Sequence, residues 1–238
     1  MSTRRCDAIV FDVGGTLLDV PRDPQERALE RIAHLGAARA DAFREAVADA
    51  IAEWRRAGGN PAREDLPVTW ARHYEHALRV SGFPGDCAAA AHLIEEMFLE
   101  DGWVLFPDVV SLLERLRAGG WTLGVISNWP ATLEATLERA GIREYFSMVV
   151  CSGVVGYAKP HPEIFRIAAR RLGLEPSCIL YIGDSVEHDL VGGSEAGFQA
   201  VLLDRCGKHD GHASRIQGLD MLETILESAS ASDRPNER

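Results

Sequence analysis

Three aspartates, a serine–asparagine pair and one lysine sit where short apolar runs end or turns begin. Asp12 follows "AIVF" and leads into "VGGT", Ser127 and Asn128 close "TLGVISN", Asp184 follows "ILYIG" with Asp189 five residues on in "DSVEHD", and Lys159 stands in "YAKPHPEIF". Carboxylates gathered at one spot are hard oxygen ligands suited to Mg2+. The glycines after Asp12 let the backbone turn tightly and present N–H groups to an anion. A carboxylate beside an anionic substrate repels it unless a cation stands between them. Ser127 can donate to a phosphoryl oxygen, and Lys159 can neutralise charge on both an attacking group and the group transferred. The set is suited to phosphoryl transfer, which chiefly needs positioning and charge neutralisation.

Elements of two periodicities must position these residues. From Phe106 onward strands alternate with helices: an amphipathic helix in "PDVVSLLERLRAGG", the strand "WTLGVIS", helix 131–140, strand 148–151, helix 162–172, the strand "CILYIGD", a helix around 190–196, the strand "FQAVLLD" and a last helix 219–228. Alternation of this kind implies right-handed crossovers and a mostly parallel sheet covered on both faces, an α/β fold of Rossmann-like type. In such a sheet ligands collect beyond the carboxyl ends of the strands, which is where Asp12, Ser127, Asn128 and Asp184 fall. Between the first strand and Phe106 the pattern is helical throughout, with Leu29, Ile32 and Leu35, then Phe43, Val47, Ile51 and Trp54, then Trp70, Tyr74, Ala77 and Leu78, and a helix from Ala88 to Glu100. The expected organisation is therefore an α/β core from residues 1–20 and 106–229, a smaller all-helical domain at 21–105 with no strand inside it, and a disordered tail at 230–238.

Composition excludes several classes. The 238 residues are 46% hydrophobic and 26% charged, ordinary for a soluble globular chain, and a formal charge of -11 without a local basic patch argues against nucleic acid or an anionic membrane as partner. No apolar run reaches transmembrane or signal-peptide length, and the chain reads as cytoplasmic. The five cysteines are widely spaced with no C-x-x-C pair, so neither a disulfide frame nor a zinc knuckle is expected. His73 with His76 and His209 with His212 each lack a third ligand nearby and read as solvated faces. Oligomeric state is not legible.

The sequence resembles the haloacid dehalogenase superfamily in all four signature regions: "FDVGGTL", "VISN", "AKP" and "IGDSVEHD". That resemblance implies an aspartyl intermediate on Asp12, Ser127 and Asn128 as phosphate anchor, Lys159 as charge clamp, and Mg2+ held by Asp12, the Gly14 carbonyl and Asp184 with Asp189 in support. It further implies that the helical insert is a mobile cap over a small phosphorylated substrate.

Gly14 departs from the pattern. Phosphatases of the superfamily usually carry an Asp there, which protonates the leaving oxygen and then activates water, help typically worth about 10²–10⁴-fold. Four readings follow. One is a Mg2+-dependent phosphatase in which Glu187, His188, His73 or Glu75 substitutes, or whose leaving group needs no acid. The second is a 2-haloacid dehalogenase, which also lacks the second Asp but resembles enzymes without the acid matching Asp184. The third, a phosphonate hydrolase, needs a cap lysine, and residues 20–104 contain none. The fourth is a catalytically weak phosphate-binding or regulatory protein. Trp129, directly after Asn128, is placed either to line the entrance or to fill core.

Overall fold

The computed structural model describes residues 6–19, 29–30, 40–56, 66–100, 103–129, 131–222 and 224–226. Strand β1 (Ala8–Phe11) is fully buried along its length, as expected where helices cover both faces of a parallel sheet. It pairs in parallel with β4 (Thr122–Ser127) on one side and β6 (Ile179–Gly183) on the other. Beyond β4 lies β5 (Met148–Cys151), and beyond β6 lie β7 (Gln199–Leu203) and β8 (Arg215–Ile216), giving the order β5-β4-β1-β6-β7-β8. From β1 the chain builds the sheet toward β5, then returns to the other side of β1 to lay down β6. The strand order therefore reverses around β1, and the crevice above its carboxyl end is the expected ligand site.

The two-residue pleat sorts the core. Ile9, Phe11, Leu180 and Ile182 belong to one hydrophobic cluster, whereas Val10 and Tyr181 belong to the cluster on the opposite face with Ile126 and Phe165. Asp12, two residues after Val10, leaves the sheet on the Tyr181 side. The covering helices carry matching stripes. In α4 (Val109–Ala118) the buried residues are Val109, Leu112, Leu113 and Leu116, and in α6 (Pro162–Leu172), after α5 (Leu133–Arg139), they are Ile164, Phe165, Ala168 and Ala169. Helix α6 opens with Pro162 at its first turn and the His161 ring accepting from Glu163 N–H at 3.1 Å.

The helical block includes, in the described residues, helical positions 29–30 and the helices α1 (Ala40–Arg56), α2 (Leu66–Val80) and α3 (Cys87–Glu100). Phe43, Val47, Tyr74, Ala77, Leu78, Ala90, Ala91 and Ile94 form a hydrophobic cluster separate from the two around the sheet. The block is not helical to its edge: β2 (Leu18–Asp19) and β3 (Val104–Leu105) pair antiparallel, so the chain enters and leaves it through a two-stranded ribbon. Two residues per strand are too few to show alternation, which is why Val104 and Leu105 read as part of a helical segment. Ile32, Leu35 and the tail 230–238 lie outside the described residues. No described helix is long and apolar enough to cross a membrane.

The end of the chain also differs from expectation. The expected last helix opens as a 3-10 turn (Leu219–Met221) and is α-helical at 222 and 224–226, but the chain before it adds the unexpected strand β8 to the sheet edge. The segment expected as a helix around 190–196 is a π turn (Val186–Val191) running into one α turn (Gly192–Glu195). Asp204, just past β7, anchors the loop between β7 and β8: it accepts from Lys208 N–H and His209 N–H, both at 2.9 Å, and from Arg215 at 2.6 Å. Burial would raise its pKa, but those donors outweigh burial and hold it at about 2. An acid held below its unfolded value, about 3.9, stabilises the fold above that value, and the contribution disappears as pH falls through about 2. Denaturant melts at pH 7 and pH 3 are therefore expected to show a smaller loss on acidification in Asp204→Asn than in the parent chain.

Candidate active site

The apolar run of β1 ends at Asp12, whose N–H donates to Ile182 O at 2.8 Å, so the residue is still locked to β6 as it leaves the sheet. Its carboxylate is buried, 5% exposed. Lys159 Nζ reaches Asp12 Oδ1 at 2.7 Å and Asp189 Oδ1 at 2.6 Å, and contacts Tyr181 Oη at 3.0 Å. Ser127 Oγ donates to Asp12 Oδ1 at 3.0 Å. Residues 12, 127, 159 and 189, far apart in sequence, thus meet at one point above β1.

Lys159 owes its position to Asn128. The Asn128 side chain donates to Lys159 O at 2.9 Å and accepts from Lys159 N–H at 2.7 Å, binding that loop as a neighbouring strand would. Asn128, expected to anchor phosphate, is here engaged at both ends of its amide with backbone. Asp189 is similarly committed: Oδ1 accepts from Lys159 and, at 2.8 Å, from Tyr181 Oη, and Oδ2 accepts from Ser185 N–H at 2.9 Å. Tyr181 is a participant the sequence reading missed. A hydroxyl inside an otherwise apolar buried strand was the available signal, since such a group needs a partner.

Two glycines let the acids approach. A Cβ on Gly183 would lie 2.3 Å from Asp189 Cγ, and one on Gly15, whose φ is +76°, would lie 2.3 Å from Asp184 Oδ2. Without side chains there, Asp12, Asp184 and Asp189 each bring a carboxylate oxygen within 4.8 Å of the others. Like charges at that spacing repel by ~3–4 kcal/mol per pair at an effective dielectric near 20. Burial first, then the neighbouring carboxylates Asp12 and Asp189, push Asp184 up to about 7. Burial together with Asp189 also raises Asp12, against the opposing pull of Lys159. Lys159 itself is pushed up to about 12: burial alone would lower it, and Asp12 and Asp189 outweigh that.

Three carboxyl groups surround one ammonium, so full ionisation would leave a negative surplus, and the donors at the rim are hard oxygens. Asp184, exposed at the surface of the group, has an oxygen available there, while Asp12 faces the same space. This donor set fits a divalent cation such as Mg2+.

The site opens as a cavity of about 220 Å³ lined by Asp12, Ser127, Lys159, Asp184 and His188 together with Gly14, Trp103 and Trp129, the two indoles lying beside Gly14. Trp129 is 7% exposed and lies in the core cluster as well as on the cavity, so both readings of its position hold. Of the groups considered as substitutes for an acid at Gly14, His188 lines this cavity; its Nδ1 lies 3.2 Å from Ser185 Oγ. His73 lines a different cavity between α1 and α2, and Glu75 pairs with Arg79 on the surface of α2. No described side chain of α1, α2 or α3 lines the Asp12 cavity.

The chain is 30% identical over 215 residues to a ribulose-1,5-bisphosphate 5-phosphatase of Halopiger xanaduensis, covering 85% of this chain and 87% of that one. It is 33% identical over 190 residues to a phosphoserine phosphatase of Thermus thermophilus, covering 71% and 73%. Its fold superposes on the crystal structure of a 2-haloacid dehalogenase from Pseudomonas syringae with a TM-score of 0.71 and 28% identity, covering 94% of this chain and 99% of that one. The model for haloacid dehalogenase-like hydrolases matches residues 6–197, and with the acid–lysine cluster over β1 this makes the chain an enzyme of the haloacid dehalogenase-like hydrolase family.

Proposed function

We propose that the protein is a Mg2+-dependent phosphatase acting on a small phosphorylated metabolite through an aspartyl-phosphate intermediate on Asp12. The observation that carries this reading is the buried Lys159 ammonium clamped between Asp12 and Asp189, with Asp184 kept beside them. Three carboxyl groups around one ammonium suit a further cation, which would hold them ionised together. Asp12, Asp184 and the Gly14 carbonyl are the residues that would hold Mg2+, with Asp189 supporting from behind through Lys159 and Ser185. When bound there, the ion offsets the charge of the incoming phosphoryl group.

The chain's own residues do the rest. Lys159 favours the ionised form of Asp12 against the effect of burial and faces the transferring group. Ser127, which donates to Asp12, can turn that O–H to a phosphoryl oxygen once the carboxylate has attacked. Tyr181 and Asp189 fix the lysine head, and Asn128 fixes its backbone. We assign the block at 21–105, bounded by its ribbon, as a cap that closes over the cavity and excludes water. The ribulose-bisphosphate and phosphoserine phosphatases to which the chain is similar by name act on small phosphorylated molecules, which supports the substrate class.

A second reading is favoured by one observation: the wall at Gly14 is aromatic and carries no acid, as suits displacement of a halide, which needs no proton. Metal dependence separates the two. Phosphate release from a panel of small phosphate esters is expected to fall to background in EDTA and return with Mg2+, with no halide released from 2-haloacids. Halide release unaffected by EDTA would instead select the dehalogenase.

A further inference from the structure

Gly14 faces two indoles. A Cβ built on it would meet Trp129 Cζ3 at 3.5 Å and Trp103 Cζ3 at 3.7 Å, ordinary contact, so the nearest neighbours of any side chain there are the two indoles. The two rings lie 4.3 Å apart between centroids, tilted by 51°. Trp129 belongs to the buried core and Trp103 packs against it, so this wall is a fixed apolar surface. The same cavity is lined by ionisable groups. Asp12, Lys159 and Asp189 are joined in one hydrogen-bonded cluster, Asp184 lies within the same acidic group, and His188 turns Nδ1 to Ser185 Oγ.

A phosphoryl group belongs with Asp12, Ser127 and Lys159, which leaves the indoles as the apolar lining for whatever the phosphate is attached to. We propose, resting on the phosphatase reading above, that the Trp103–Trp129 wall takes the place of a proton donor and selects phosphate monoesters of flat, acidic alcohols. Aryl and enol phosphates fit, and alkyl phosphates do not. An indole offers such a group a stacking surface, and it offers a departing alkoxide no proton. In the first step an Asp12 oxygen bonds to phosphorus while the bond from phosphorus to the leaving oxygen breaks. The electron pair leaves on that oxygen, and the anion takes its proton later from solvent. In the second step water attacks phosphorus, the bond from phosphorus to Asp12 breaks, and the water's protons leave with dihydrogen phosphate as the carboxylate is restored.

The test is a leaving-group series: kcat/KM with Mg2+ for aryl phosphates of graded phenol acidity, and for benzyl and simple alkyl phosphates. The expected result is a steep fall with decreasing acidity, the alkyl esters lying about 10²–10⁴-fold below the most acidic phenol, the range a missing general acid accounts for. Alkyl esters turned over within about tenfold of the aryl esters, the outcome if a proton donor such as His188 serves the leaving group, would overturn the inference and leave the phosphatase reading standing. Turnover of no ester would overturn both. A second variant keeps the proposal exposed. Gly14→Asp combined with Trp103→Ala, which gives the carboxyl room, is expected to raise the alkyl-to-aryl ratio over that of Trp103→Ala alone; an unchanged ratio would count against the wall as the donor's replacement.

Discussion

In Asp12→Asn, phosphate release falls by on the order of 10⁴–10⁶-fold while the protein stays folded, the scale seen when a nucleophile is removed from a preorganised site. The loss follows because an amide oxygen carries no charge to attack phosphorus and no other cavity oxygen is placed as Asp12 is, above β1 between Ser127 and Lys159. Folding survives because Lys159 keeps its second carboxylate, Asp189 at 2.6 Å, and its contact with Tyr181. Ser127 can still donate to the amide oxygen. Removing one of three crowded acids also relieves repulsion, so the melting temperature should hold or rise. Phosphate-release assays and a thermal melt on the same preparation check both halves; retained turnover would place the nucleophile elsewhere.

Lys159→Met has the opposite balance, a large loss of stability together with activity. Methionine fills most of the volume but leaves Asp12 and Asp189, both buried, without their shared cation. Breaking a buried ion pair by removing one partner costs about 3–5 kcal/mol, mainly as the penalty of the stranded charge. For a chain of this size that corresponds to a drop in melting temperature of about 10 °C. Asp189 retains its bonds from Tyr181 and Ser185, so Asp12 bears most of the cost. Added Mg2+ should therefore return part of the lost stability in Lys159→Met, through Asp12 and Asp184, but no activity. A melting temperature equal to that of the parent would contradict the ion-pair account.

What could be read from sequence divides along physical lines. Asp12 and Asp184 are legible because each ends an apolar run of four or five residues with glycine beside it, after Asp12 and before Asp184, which marks the carboxyl end of a buried strand, and the parallel sheet brings such ends together. Asp189 and Lys159 were legible as chemistry-bearing types, but their mutual contact was not, because it depends on the π turn Val186–Val191 turning Asp189 inward. Asn128 is a phosphate anchor only by the family resemblance of "VISN"; that its amide binds Lys159 backbone is a loop-to-loop contact without a local signal. Tyr181 was hidden by its setting among apolar residues of β6. The ribbon of β2 with β3 and the edge strand β8 are two residues long, below the length at which alternation can be seen. Trp103 meets Trp129 only because the ribbon returns the chain beside the β4 end, a contact across tens of residues that spacing cannot show.

Acid-quenched single turnover with an aryl phosphate and Mg2+, followed by peptide mass spectrometry, tests the central claim most directly. The account predicts one phosphoryl group on the peptide carrying Asp12, appearing with the burst of phenol and absent in Asp12→Asn. Full phenol release with no phosphoryl group on that peptide at any quench time would contradict it.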